Sequence, residues 1–345
     1  MRHPVVLAGM AGGPTTPELV AAVSRAGGLG TFGLTGMSEA RVRAAVARAR
    51  ELTDAPIGVN VLVAPPEPPQ PGAADPGPVF DAMRRELGLP DPPPAPPPAT
   101  PRELVAAALE EGASVVSVGL GDPAAVRDLA EAAGAPLIAM AANVADAVRA
   151  VASGADAIVA QGGEAGGHRS DFEVPADGVP PLVGTLALVP QVVDAVDVPV
   201  IATGGIMDGR GLAAALALGA QAVQMGTRFL VAAEAGVPAA YQERIARSRD
   251  TDTVITRAVS GRPARGLVNR LVAELEALGA PGLGYPRQSS ASADVRAAAT
   301  AANDAEHIAL WSGQAGGLAG EALPAEHLVE QIVQEARLVI AGLAG

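Results

Sequence analysis

Eight short apolar runs, separated by stretches of helical spacing, constrain this chain more than any other feature. The runs cover residues 5–8, 29–32, 57–62, 114–118, 136–140, 156–161, 198–203 and 222–225. Between them, sets such as Val42, Ala45, Val46 and Ala49 fall at i, i+3, i+4, i+7, as do Val144, Ala147, Val148 and Val151. The runs are almost continuously apolar, which is how strands covered on both faces read. Eight successive βα units predict an α/β fold, a closed (β/α)8 TIM-type barrel, rather than an open doubly wound sheet.

A barrel of this kind needs about 250 residues, and the chain has 345. The surplus falls in two places. Residues 64–101 hold 15 of the 31 prolines and one short helical run, 79–89. They read as a surface excursion, with a lid over the barrel mouth as the functional alternative. Residues 236–321 show helical pieces and no strand pattern, so a small helical second domain is expected there. A last helix, within 322–345, carries Val329, Ile332, Val333, Ala336, Val339 and Ile340 on one stripe and should pack back on the barrel. The barrel itself is assigned to residues 1–235.

Composition narrows the chemistry. There is no cysteine, and all 24 basic residues are arginine. Thiolate nucleophiles, disulfides, Cys-ligated metals and lysine Schiff bases are therefore excluded, and no metal site is expected. The formal net charge is -13, with no basic face for nucleic acid. An anionic ligand would need local donors against that field. No export signal or membrane-length apolar stretch is visible, so a cytoplasmic protein is expected, with a homo-oligomer open.

The candidate chemistry lies at the carboxyl ends of the strands, where barrel active sites are built. Strand seven ends in Gly204-Gly205 and strand eight in Gln224-Met225-Gly226-Thr227. Either glycine site alone is an ordinary tight turn. Together they predict a phosphate site, where backbone N–H groups approach anionic oxygens. Strand six runs into QGGEAGGHR at 161–169, four glycines in seven residues before His168. An imidazole there can take a proton near neutral pH or hold one beside an anion. Glu164 either orients it or hydrogen-bonds the loop's own amides; the second reading is preferred. Asn60 and Gln161 place carboxamides on two strands, suited to a heterocycle edge. Met10, alone, reads as core.

QGGEAGGHR resembles the signature loop of the class I nitronate monooxygenases, formerly called 2-nitropropane dioxygenases. The likeness extends to MAGG at 10–13, TPEL at 16–19, AGGLG at 26–30, GVN at 58–60 and ATGGI at 202–206. It continues through QMGTRF at 224–229, GRPARG at 261–266 and WSGQ at 311–314. One departure is Gly9, where the family usually has proline. The resemblance implies FMN as cofactor, an alkyl nitronate such as propionate 3-nitronate and O2 as substrates, and a carbonyl compound and nitrite as products. It implies His168 as the catalytic histidine. Met10, Asn60, Gln161 and Gly166 would lie by the flavin ring. Gly204, Gly205, Gln224, Met225, Gly226 and Thr227 would surround the cofactor, the glycines taking its phosphate. The rival readings are an FMN-dependent reductase using NADH (on an enoyl-acyl-carrier-protein or a quinone) and a non-catalytic barrel binding a phosphate-bearing ligand.

Overall fold

The computed structural model describes residues 1–69, 72–91, 98–175, 178–279 and 282–343. Parts of the proline-rich segment, 70–71 and 92–97, lie outside the described residues, as do the last two residues of the chain. The main sheet holds β1 (Val5–Leu7), β2 (Gly30–Gly33), β3 (Ile57–Leu62), β4 (Val115–Gly119), β5 (Leu137–Ala141) and β6 (Ala157–Gln161). A two-residue strand outside it is β7 (Gly167–His168), and the sheet is completed by β8 (Val200–Thr203) and β9 (Ala222–Met225). All its paired strands are parallel, in the order β1-β9-β8-β6-β5-β4-β3-β2. A parallel bridge from Val6 to Leu29 joins the two ends. Leu7 N donates to Leu29 O at 2.9 Å and Leu29 N to Val5 O at 3.0 Å. The sheet is thus a (β/α)8 barrel, as the eight runs predict.

The helices are α1 (Pro17–Arg25), α2 (Glu39–Leu52), α3 (Gly77–Glu86), α4 (Pro101–Glu110), α5 (Arg127–Ala133), α6 (Val144–Ala152) and α7 (Thr185–Ala195). They continue as α8 (Gly209–Ala217), α9 (Thr227–Leu230), α10 (Ala239–Ala246), α11 (Arg270–Glu276), α12 (Arg287–Ala291), α13 (Ala293–Ala301) and α14 (Ala325–Leu343). Their starts follow the capping chemistry in the sequence. Thr16 accepts from Leu19 N at 3.0 Å, Asn143 from Asp146 N at 2.8 Å, and Thr100 with Glu103 forms a reciprocal capping box.

Two apolar layers hold the barrel. The inner one contains Val6, Leu29, Ile138, Val159, Ile201 and Ala222. The outer one sets Val and Ala of the strands against helix residues such as Val20, Val46, Leu104 and Leu212. With four phenylalanines in the chain, small aliphatic side chains fill both. Each fully buried Val, Leu or Ile contributes about 1.5–3 kcal/mol, and each Ala methyl about 0.8 kcal/mol. In α6 the expected stripe is displaced: Ala147 and Ala150 are buried, whereas Val148 is 46% exposed.

After β9 the chain leaves the barrel. α9 has four residues, too few to cover the gap between β9 and β1. α14 fills that place, packing on α8 and α1 with Leu328, Val329, Ile332, Val333 and Ala336 buried. The contact is close: a Cβ on Gly209 of α8 would collide with Ala336 N and Glu335 Cβ, and Gly209 N donates to Glu335 Oε2 at 3.0 Å. The barrel's eighth helix therefore returns from beyond an inserted unit.

That unit is not purely helical. β10 (Thr253–Thr256) and β11 (Ala264–Leu267) pair antiparallel, and β11 pairs with β7 of the strand-six loop. β11 is hidden because Arg265 and Gly266 break its apolar pattern and its partner β7 has only two residues; β10 (TVIT) is a lone run of four residues. The helix of the proline-rich segment also belongs to this unit. Phe80 and Met83 of α3 are buried with Leu271, Val272 and Leu275 of α11 and Val295 of α13.

Candidate active site

The loop after β6 is shaped by buried arginines. Arg169 donates to Gly162 O at 2.7 Å and Gln161 O at 3.1 Å, and Arg265 of β11 donates to Gly163 O at 2.9 Å. Three consecutive carbonyls are thereby turned inward, and the loop folds back over the barrel mouth. Gln161 closes it, donating to His168 O at 2.9 Å and accepting from Ser170 N at 2.8 Å. Its carboxamide thus clamps the loop, leaving one N–H for the ring edge that the sequence assigns to it.

Glu164 does neither of the two things expected of it. Its carboxylate accepts from Thr185 N at 2.9 and 3.0 Å and from Thr185 Oγ1 at 2.8 Å. It caps α7, whose N-cap Gly184 has no side chain for the purpose. The same hydroxyl lies 3.0 Å from Gly204 O, so its one proton is shared between that carbonyl and the Glu164 carboxylate, and the strand-six loop is held against the turn after strand seven.

His168 is partly buried on β7, opposite Ala264. Its Nε2 lies 2.9 Å from Ser260 Oγ, and its ring lies 5.6 Å from that of Trp311 and 6.2 Å from that of Tyr285. Desolvation, with Arg262 and Arg296 adding positive charge, holds its pKa down at about 4. The imidazole is therefore neutral at pH 7. Arg262 is buried under Tyr285, paired with Glu67 at 3.1 Å and donating to Leu120 O and Asp171 O. Arg296 donates to Ser289 O at 2.7 Å and Ser289 Oγ at 3.1 Å, and burial lowers its pKa.

The remaining expected residues fall into linked groups at the carboxyl ends of the strands. Asn60 of β3 is buried, donates to Ser117 Oγ at 3.0 Å, and lies so close to Gly9 that a Cβ there would come within 2.5 Å of its own Cβ. Glycine at that position therefore has a steric reason. Met10 follows, and its Sδ is 3.6 Å from where a Gly226 Cβ would stand. Gln224 takes Thr203 Oγ1 on its carbonyl at 2.8 Å, with its Nε2 4.0 Å from Met140 Sδ; Met225 is buried. Thr227 Oγ1 accepts from Gly313 N at 3.0 Å. Gly204 (φ +117°) and Gly205 (φ +69°) form a left-handed turn open to few other residues. They line a cavity of about 590 Å³ that continues along Gly211, Ala214 and Leu218 of α8 to Leu318. The N-terminus of α8 is already capped by Asp208 and Glu335, so an anion here would be met by the turn rather than the helix.

Sequence reasoning did not single out Ser260, Glu67, Tyr285 or Arg296. Ser260, Tyr285 and Arg296 are near His168, and Glu67 near Arg262, only because the inserted unit and the proline-rich segment fold over the mouth. Gly166 marks the seam: a Cβ there would lie 2.6 Å from Gly313 N and 2.7 Å from Ser312 C, both backbone. Gly166→Ala is expected to cost roughly 1–3 kcal/mol through forced separation of the two segments. A denaturant titration showing an unchanged midpoint would contradict this packing.

A barrel with its chemistry-bearing residues gathered over the strand ends is built as (β/α)8 enzymes are, and the comparisons specify which. A family model described as nitronate monooxygenase matches residues 1–335. A probable nitronate monooxygenase of Staphylococcus saprophyticus is 37% identical over 343 residues, covering 99% of this chain and 96% of that protein. One from Staphylococcus aureus is 38% identical over 338 residues, covering 97% and 94%. Among solved structures, a nitroalkane oxidase from Streptomyces ansochromogenes matches with a TM-score of 0.89 at 36% identity, covering 99% of this chain and 97% of that one. FabK from Thermotoga maritima matches with a TM-score of 0.78 at 34% identity, covering 100% and 96%. The chain belongs to the nitronate monooxygenase family. Among the described residues no helix is long and apolar enough to cross a membrane, and no cluster of three or more His, Asp or Glu could hold a metal ion.

Proposed function

We propose that this protein binds FMN across the barrel mouth and oxidises alkyl nitronates with O2 to a carbonyl compound and nitrite. The observation that carries the reading is a neutral histidine with two guanidiniums in its field, Arg262 and Arg296. A neutral imidazole can accept the α-proton of a nitroalkane, and adjacent cations favour the anion formed.

The residues fit the cofactor. Gly204, Gly205, Gly226 and Thr227 would hold the phosphate through backbone amides. Arg228 Nη1, beside them in sequence, is buried and meets no acceptor among the described residues, which suits a nearby anion. Met10, Asn60, Gln161, Gly166, Gln224 and Met225 would lie by the ring system. When bound, FMN supplies the electron acceptor and the site of O2 reduction. The chain's own work is to hold the substrate anion, move a proton at His168 and keep the loop closed through Gln161 and Arg169.

The test is anaerobic mixing of the flavin-loaded protein with propionate 3-nitronate or an alkyl nitronate. The expected result is a change in the flavin spectrum, followed by nitrite in stoichiometric amount on admitting air. A spectrum that stays unchanged excludes the nitronate reading. FabK as a structural neighbour keeps the reductase reading in the same experiment: rapid anaerobic bleaching by NADH, without nitrite formation from nitronate, would replace the first reading with the second.

A further inference from the structure

His168 has two ring nitrogens, and the structure distinguishes them. Nε2 lies 2.9 Å from Ser260 Oγ. The same oxygen is 3.1 Å from Arg262 O and 3.3 Å from Arg262 N. A backbone carbonyl can only accept and a backbone N–H can only donate. The Ser260 hydroxyl has one proton. If that proton went to Nε2, the Ser260 and Arg262 oxygens would face each other at 3.1 Å with lone pairs alone. Directed to Arg262 O instead, it leaves Ser260 Oγ as an acceptor, and Nε2 must then carry the ring proton.

From this we infer that Ser260 is a positioning residue that fixes neutral His168 as its Nε2–H tautomer, leaving the Nδ1 lone pair as the base. The inference rests on the proposed nitroalkane chemistry for its functional half. In the step so defined, the α-C–H bond of a neutral nitroalkane breaks. Its proton passes to Nδ1, and its electron pair becomes the C=N bond of the nitronate while the nitro group takes the negative charge. The Nε2–H stays on Ser260 throughout, so the ring is held as it becomes imidazolium. The β7–β11 pairing fixes the backbone of His168, and the 260–262 turn fixes the hydroxyl. The orientation therefore comes from the inserted unit, not from the barrel.

The geometry has a direct spectroscopic reading. The chain has four histidines, so ¹⁵N NMR of uniformly histidine-labelled protein at pH 7, assigned by loss of one signal set in His168→Asn, resolves the ring. The expected pattern is a protonated Nε2 and an unprotonated Nδ1. In Ser260→Ala the His168 signals should move toward the exchange average of both tautomers, and in Ser260→Thr they should return to the parent pattern. In kinetics, Ser260→Ala should lower kcat on a neutral nitroalkane roughly tenfold more than on the preformed nitronate, with little change in KM; loss of an orienting partner typically costs about 10–100-fold at metal-bound histidines. A parent spectrum showing Nδ1–H overturns the inference. So does a Ser260→Ala enzyme slowed equally on both substrates with its ¹⁵N pattern unchanged. If the parent protein turns over neither substrate, the proposed function fails while the tautomer assignment still stands or falls on the spectrum.

Discussion

His168→Asn is expected to lower kcat/KM for neutral nitroalkanes by roughly 10²–10⁴-fold, the usual contribution of a positioned general base. Bound flavin should be retained, because the cofactor's phosphate is assigned to the strand-seven and strand-eight turns, not to β7. The loss should be smaller on preformed nitronates, whose proton is already gone. Equal rates for parent and variant on the neutral substrate would reduce His168 to a structural residue. The pH profile carries the same signature. Burial and the two arginines hold the imidazole at about 4, against about 6.5 in the unfolded chain. The base therefore stays neutral as pH falls from 7 to 5, and the acid limb of kcat/KM should lie below pH 5. The stability sign agrees. Between 4 and 6.5 the unfolded chain binds more protons, so acidification through that window weakens the fold. An acid limb centred near 6.5 would contradict this environment.

The second large effect is expected from Glu67→Ala. Arg262 is only 2% exposed, and among the described residues the carboxylate ion-paired with it is that of Glu67, itself 25% exposed. Removing one member of a buried pair commonly costs about 3–5 kcal/mol because the other charge is left uncompensated. Partial screening of Glu67 lowers this to roughly 2–3 kcal/mol. The carbonyls of Leu120 and Asp171 still receive the guanidinium, but they carry no charge to offset it. Glu67 N also donates to Tyr285 O at 2.7 Å, so the proline-rich segment should loosen from the wall that holds the Tyr285 ring by His168. The checks are the urea midpoint and the rate of proteolytic nicking within 64–101. An unchanged midpoint together with unchanged nicking would show that the ion pair carries little.

The barrel was legible because its strands are nearly continuous apolar runs; β3 and β9 fall where the runs place them, and the other six differ by a residue or two at one or both ends. The strand-end glycines were legible for the same reason, since they punctuate those runs. Contacts made across long sequence separations were not. Glu164 reaches Thr185, Ser260 reaches His168, and Glu67 reaches Arg262. No local pattern encodes such partners, because each depends on how the inserted unit and the proline-rich segment settle over the mouth. β10 and β11 were missed because an isolated four-residue run, broken by arginine and glycine in β11, is indistinguishable from loop until its neighbour is known.

α14 has a mechanical consequence. The unit that presents Ser260, Arg262 and Trp311 is tied into the barrel at both of its chain ends, where it departs after β9 and where α14 wedges between α8 and α1, besides the β7–β11 pairing. A roof fastened along two edges cannot swing as a door does. Cutting the chain ahead of α14 would strip the barrel wall of a stave and leave its apolar stripe bare, instead of releasing a self-sufficient barrel.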